Sequence, residues 1–279
     1  MKKVFIRKIV PLFFAIVTFL VLSTVLYGIL LFLSSLPLNY PIILDFRRRE
    51  VLIGIAIYLK TAIDFAILMG NLMHTNPGWK KRIAIGLGTA IGNAFGTFSI
   101  LVIWTLAKEF RILVIVFIFV SSAILLRLAE ESFEEFLKQR KSFIKINIRK
   151  PVSLLQNQLD FVNRIFRPIL KFFVRDLDLT KTKKLSFANL VIFSFTIPFI
   201  LGFNDFSAYI PLFAYINVFG FTLGILLGHT LLTIGLFAFP KKTIVFVKHP
   251  IVLIWGGLAF IGIAVFGFWQ TFKILTTLL

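Results

Sequence analysis

Long apolar runs separated by short charged turns dominate the chain. Seven stand out, Ile9 to Leu36, Val51 to Met73, Ile83 to Leu106, Phe110 to Leu128, Leu185 to Ala214, Val218 to Phe239 and Ile251 to Phe272. Crossing a hydrocarbon core about 30 Å thick takes roughly 20 helical residues, so each run is read as a membrane span. The pattern predicts an all-α polytopic membrane protein with about seven transmembrane helices. The first run follows Lys2, Lys3, Arg7 and Lys8, as in a signal peptide. Its apolar stretch is far longer than a signal-peptide core and no A-x-A site follows, so a retained signal anchor is expected over residues 1–50.

Composition sharpens this reading. Of 279 residues 58% are hydrophobic and only 15% charged, against about 25% charged in soluble domains, which excludes a soluble globular chain. The net charge of +19 would point to nucleic acid in a soluble protein. In a membrane protein Lys and Arg gather instead in cytoplasmic loops, and no nucleic-acid partner is expected. A cytoplasmic N-terminus puts 24 of the 31 basic residues inside, which predicts N-in and C-out in a plasma (inner) membrane. Arg47, Arg48 and Arg49 fall on the other side. With no Cys, neither disulfides nor a thiolate metal site can form.

The connection at 129–184 carries 13 basic and 7 acidic residues. Its second half, residues 152–175, repeats Leu154, Leu155, Leu159, Val162, Ile165, Phe166, Ile169 and Phe173 at helical spacing, with Arg164, Arg167, Lys171 and Arg175 on the other face. Such a helix suits the surface of an anionic leaflet, with lipid headgroups as its partner; a solvated linker is the plainer alternative.

The spans at 51–128 and 185–279 repeat one set of signals. Each trio opens with a span holding one acid before Phe and a small residue, Asp64-Phe65-Ala66 and Asp205-Phe206-Ser207. Each continues with a glycine ladder, Gly88, Gly92 and Gly96 in the first and Gly220, Gly224 and Gly228 in the second. Three crossings is an odd number, so the trios run in opposite orientations, the inverted-repeat architecture of many secondary transporters. Glycine at four-residue spacing lets helix backbones approach closely, which explains the ladders by packing alone.

Asp64 through Asn71 with the basic turn Lys80-Lys81-Arg82, and Asn204-Asp205 through Pro211 to Gly228, resemble the two carboxylate regions of the TerC-like membrane proteins of the lysine-exporter superfamily. The likeness covers residues 51–272 apart from the connecting loop. It implies an inverted-repeat exporter, and the family includes divalent metal exporters. The family pattern places Asn directly after the first Asp and Ser-Ile-Pro-Ala directly after the second; here Phe65 and Phe206-Ser207-Ala208-Tyr209 stand there.

Asp64 and Asp205 are the acids lying inside apolar spans, where a carboxylate costs about 2.5–3.5 kcal/mol and is functional by default unless it locks helix packing. Lys60 precedes Asp64 by four residues and Asn71 follows it by seven, on one stripe of a continuous helix. Lys60 is then either a structural lock or the empty-state counter-ion that an incoming cation displaces. Pro198, Gly202 and Pro211 bracket Asp205, and a broken helix there frees carbonyls that can bind an ion. Asn93, Thr89 and Thr97, with His229 and Thr233, could complete a shell, although an isolated membrane Asn or His more often bonds a neighbouring helix. No phosphate loop, H-E-x-x-H, G-x-S-x-G or dinucleotide turn appears, so no enzyme is expected and no cofactor tightly bound. The expected function is a secondary transporter exporting a divalent cation as substrate through Asp64 and Asp205. Export of a small cationic solute such as an amino acid, or a non-transporting membrane assembly role, are the alternatives.

Overall fold

A computed structural model describes residues 2–39, 42–139, 148–173, 186–207, 210–213 and 216–277, with the backbone alone at 2–8, 64, 169–173, 201–207 and 240–241. Among these residues the chain is helical, with no strand. The helices are α1 (Lys2–Ser34), α2 (Arg48–Thr61), α3 (Ile63–Thr75), α4 (Trp79–Ala107), α5 (Arg111–Lys138), α6 (Arg149–Phe173), α7 (Phe187–Ser207), α8 (Ile210–Phe213), α9 (Val218–Ala238), α10 (Pro240–Val247) and α11 (Pro250–Thr276). Five described helices are long and apolar enough to cross a membrane, six if the bent pair α2 and α3 counts as one span. The chain is an all-α integral membrane protein.

The helices gather into two compact units. The first comprises residues 1–109, 177–206 and 216–247, and the second residues 110–176, 207–215 and 248–279. Each trio therefore gives its first two spans to unit 1 and its last to unit 2.

In unit 1 the glycine ladders set the packing. Along α9, Gly220 faces Glu50, Gly224 faces the Val51 backbone and Gly228 faces the Tyr58 ring, all on α2. Along α4, Gly88 faces Val191 and Ser194 and Gly92 faces the Phe195 backbone, all on α7. Residue numbers rise together in both pairs, so both are parallel. Each ladder thus clasps the first span of the other trio. A methyl group at Gly92 or Gly224 would overlap a backbone carbonyl, of Phe195 or of Val51, and backbone cannot step aside as a side chain can. Leu26, Leu30 and Leu33 of α1 pack on Ala94, Phe98 and Leu101 of α4 and on Leu226 of α9.

The ends of these helices are set by local chemistry. Gly78 takes φ 116° just before α4, a conformation an L side chain rarely adopts. Asn217 caps α9: its Oδ1 accepts from the Gly220 N–H at 3.0 Å, and its Nδ2 donates to the Asp45 carbonyl at 2.9 Å.

The second predicted span is not one helix. α2 ends at Thr61 and α3 starts at Ile63, and the pair is bent by 63°. No Pro or Gly lies at the break. The Thr61 hydroxyl donates back to the Tyr58 carbonyl at 3.1 Å, the carbonyl that also accepts the Ala62 N–H at 2.9 Å. Lys60, Asp64 and Asn71 therefore do not share one continuous stripe, which corrects the reading from spacing.

In unit 2, α5 packs along α11, where Gly257 meets the Phe133 ring. α6 runs antiparallel to α5. Arg149 donates to the Leu137 and Gln139 carbonyls at the end of α5. Asn163 donates to the Leu126 carbonyl at 3.3 Å and to Glu130 at 2.6 Å, and the Phe166 ring meets Phe119 and Phe268. The expected leaflet helix is thus one arm of a hairpin. Val152 and Leu159 are buried, while Leu154, Phe161 and Ile165 stay exposed.

Candidate functional site

Polar side chains gather inside unit 1, on the helices that carry the ladders and on the spans they clasp. Lys60 on α2 is 7% exposed, Asn93 on α4 5% and His229 on α9 3%. Thr89, Thr97, Ser194, Thr222 and Thr233 are buried as well. Within a membrane such groups need partners or a ligand, because neither lipid nor an apolar wall supplies a hydrogen bond.

Most of the threonines on α4 are already satisfied. Thr89 donates to the Ile85 carbonyl at 2.8 Å and Thr97 to that of Asn93 at 2.7 Å. Both hydroxyls donate to their own helix, which leaves their oxygen lone pairs for any further partner. Asn93 differs, since its Nδ2 has no hydrogen-bond partner among the described residues, and the Ser194 hydroxyl opposite Gly88 has none either.

His229 is held from one side. Its Nδ1 lies 2.7 Å from the Tyr58 hydroxyl, and its ring sits 5.2 Å from the Phe65 ring, centroid to centroid. Nε2 has no hydrogen-bond partner among the described residues. A buried Tyr hydroxyl normally finds a partner, so Tyr58 and His229 orient one another. The sequence reading passed over Tyr58 and Ser194; a tyrosine inside an apolar span was the available signal for the first.

Asp64 is the second residue of α3, directly beyond the break at Ala62. Asp205 lies on α7. Both belong to unit 1. Their side chains are outside the described atoms, and with them the expected approach of the two carboxylates. Asn71 is exposed on α3 and does not join the buried polar set. Of the ladder, Gly88, Gly92, Gly96, Gly220, Gly224 and Gly228 are buried.

Among the described residues no three His, Cys, Asp or Glu side chains cluster as a metal site would. In unit 1 the described part holds buried amide, hydroxyl and imidazole groups and the buried Lys60, together with the backbone of Asp64 and Asp205. No family model, curated protein or solved structure matches the chain, so its function is read from its own residues.

Proposed function

We propose that the chain is a secondary membrane transporter that exports a divalent metal cation, with Asp64 and Asp205 as the carboxylates of one central site. One observation carries the reading: each trio's acid lies on a first span clasped by the other trio's glycine ladder, with Asp64 directly beyond a helix break. Helix ends inside a membrane leave carbonyls and N–H groups free for an ion. The duplicated parallel packing supports two inverted repeats that rock against one another, as in the TerC-like exporters the sequence resembles. Counting α2 with α3 as one span and α7 as another gives seven, and the basic asymmetry supports a cytoplasmic N-terminus.

Lys60, buried close to Asp64 in sequence, is assigned as the counter-ion of the empty site, and Asn93 as a neutral oxygen ligand. His229, whose Nδ1 is held by Tyr58 and whose Nε2 has no hydrogen-bond partner among the described residues, is assigned as a nitrogen ligand through Nε2. On α6, exposed Leu154, Phe161 and Ile165 stand beside the cations Lys150, Arg164 and Arg167. This combination supports anionic lipid headgroups as its partner, with Arg164 also paired to Asp160 at 2.6 Å.

The deciding experiment is flux into proteoliposomes loaded with a metal-sensitive dye, run with Mn²⁺, Zn²⁺, Ca²⁺ and, separately, radiolabelled lysine. Uptake of one divalent ion is expected. Lysine uptake alone would move the site to the cationic-solute reading, and no flux of any kind would return the protein to an assembly role.

A further inference from the structure

In unit 2, α6 runs along the side of α5 rather than across its end. Arg149 bonds the Leu137 and Gln139 carbonyls, Asn163 bonds the Leu126 carbonyl, and the Phe166 ring meets Phe119. Phe119 is the middle residue of the apolar run Phe110 to Leu128 on α5. α11 gives the same level independently. It runs antiparallel to α5, with Gly257 against Phe133 and Gly267 against Ser122. Its Phe268, stacked on Phe166, lies past the middle of the run Ile251 to Phe272. We propose that α6 enters the leaflet beside the C-terminal half of α5 end-on, reaching the middle of the bilayer at Phe166, and that Arg164 and Arg167 hold phospholipid phosphate drawn in beside it. This deepens the reading of α6 as a lipid-facing helix and rests on it.

Burial along α6 fits that placement. Val152, Leu159 and Asn163 are buried, whereas Leu154, Phe161 and Ile165 on the opposite face are exposed. Leu154 and Ile165 stand about 16 Å apart along the helix axis at 1.5 Å per residue. A helix lying flat on a leaflet holds both at one depth. A helix that follows a span sets Leu154 near the aqueous end and Ile165 within the hydrocarbon.

The same placement puts two cations where water is scarce. Arg164 follows Asn163 at the level of Leu126, and Arg167 follows Phe166 at the level of Phe119, about 13 Å inside the end of the apolar run. Both are exposed, and Asp160 engages Arg164 at 2.6 Å. A guanidinium at that depth is costly without an anion, and snorkelling with local thinning of the bilayer brings phosphate inward to meet it. The planar fork of N–H donors matches a phosphate. A second copy of the chain fits this face less well. A two-fold contact sets a patch against itself, which would oppose Lys150, Arg164 and Arg167 to the same cations.

The chain has no Cys, so nitroxide labels can be placed singly in the full chain in liposomes through Leu154→Cys, Phe161→Cys and Ile165→Cys. Lys138→Cys and Val116→Cys, at exposed positions of α5, serve as aqueous and deep references. Electron paramagnetic resonance with oxygen and a nickel chelate as relaxing agents reads the depth of each label. Ile165 should lie roughly 15 Å deeper than Leu154, with Phe161 between them. In a second arm, chain-labelled phosphatidylglycerol and phosphatidylcholine should be motionally restricted about fivefold more than chain-labelled diacylglycerol, which has no phosphate. Arg164→Gln with Arg167→Gln should remove that excess and leave the depths unchanged. Equal depths at the three positions would overturn end-on entry, and with the phospholipid excess intact they would leave α6 a lipid-binding helix on the surface. Absence of the excess would overturn the phosphate contact, as would a disulfide-linked dimer of Phe161→Cys, which would assign the face to a second copy. Neither arm reads metal flux, so neither bears on Asp64 and Asp205.

Discussion

α4 and α9 carry the same ladder of three glycines, and each lies parallel to the first span of the opposite trio, yet they look onto different interiors. Over α4, α7 presents Val191, Ser194 and Phe195, with Phe195 and Phe199 stacked at 5.9 Å. Over α9, α2 presents Glu50, Val51 and Tyr58, and the Tyr58 hydroxyl meets His229 across the contact. The close approach is duplicated and the chemistry is not. Glycine spacing fixes how near two backbones come, and whatever large side chains lie one turn further on decide whether the seam is apolar or polar.

The most severe way to break this comparison is to fill the ladders. Gly92→Leu and Gly224→Leu both drive a side chain into the backbone of the clasped span, so neither should give monodisperse protein on size exclusion in detergent. If one variant folded normally, the two contacts would not be the same contact made twice. A smaller effect separates the seams. Tyr58→Phe leaves a buried imidazole nitrogen without its hydroxyl and should lower stability by about 1–3 kcal/mol in a denaturant titration. Ser194→Ala removes a hydroxyl with no partner among the described residues and should change stability by about 0.5 kcal/mol or less; a larger loss would mean that the α4 seam is polar too. The smallest change should come outside the ladders. A methyl group at Gly28 of α1 meets nothing within 4 Å, and Gly28→Ala should raise stability by roughly 0.5–1 kcal/mol through helix propensity alone. A loss there would show that α1 presses on something the ladders do not explain.

The spans themselves were plain in the sequence, since α1, α4, α5, α9 and α11 each rest on an unbroken apolar run that only lipid or a helical partner can cover. The break at Ala62 was not, because no Pro or Gly stands there to announce it. The hairpin of α5 and α6 was hidden for another reason. Amphipathic spacing fixes which face of α6 is apolar, but the residue that clamps it, Asn163, reaches Leu126 and Glu130 more than thirty positions away. The Tyr58 to His229 contact spans 171 positions and is legible only once α2 lies on α9. Asp64 and Asp205 stood out at once as acids inside apolar runs, whereas the setting of Asp64 just beyond a helix break needed the backbone.

The central claim is that these two acids act together, and flux measured on Asp64→Asn and Asp205→Asn in proteoliposomes tests it most directly. Asparagine keeps the shape and removes the charge, and it is cheaper than a carboxylate in a membrane, so both variants should fold and yet lose divalent-ion uptake by at least tenfold. Wild-type uptake by Asp205→Asn, with Asp64→Asn inactive, would contradict the account and leave a site built on one trio alone.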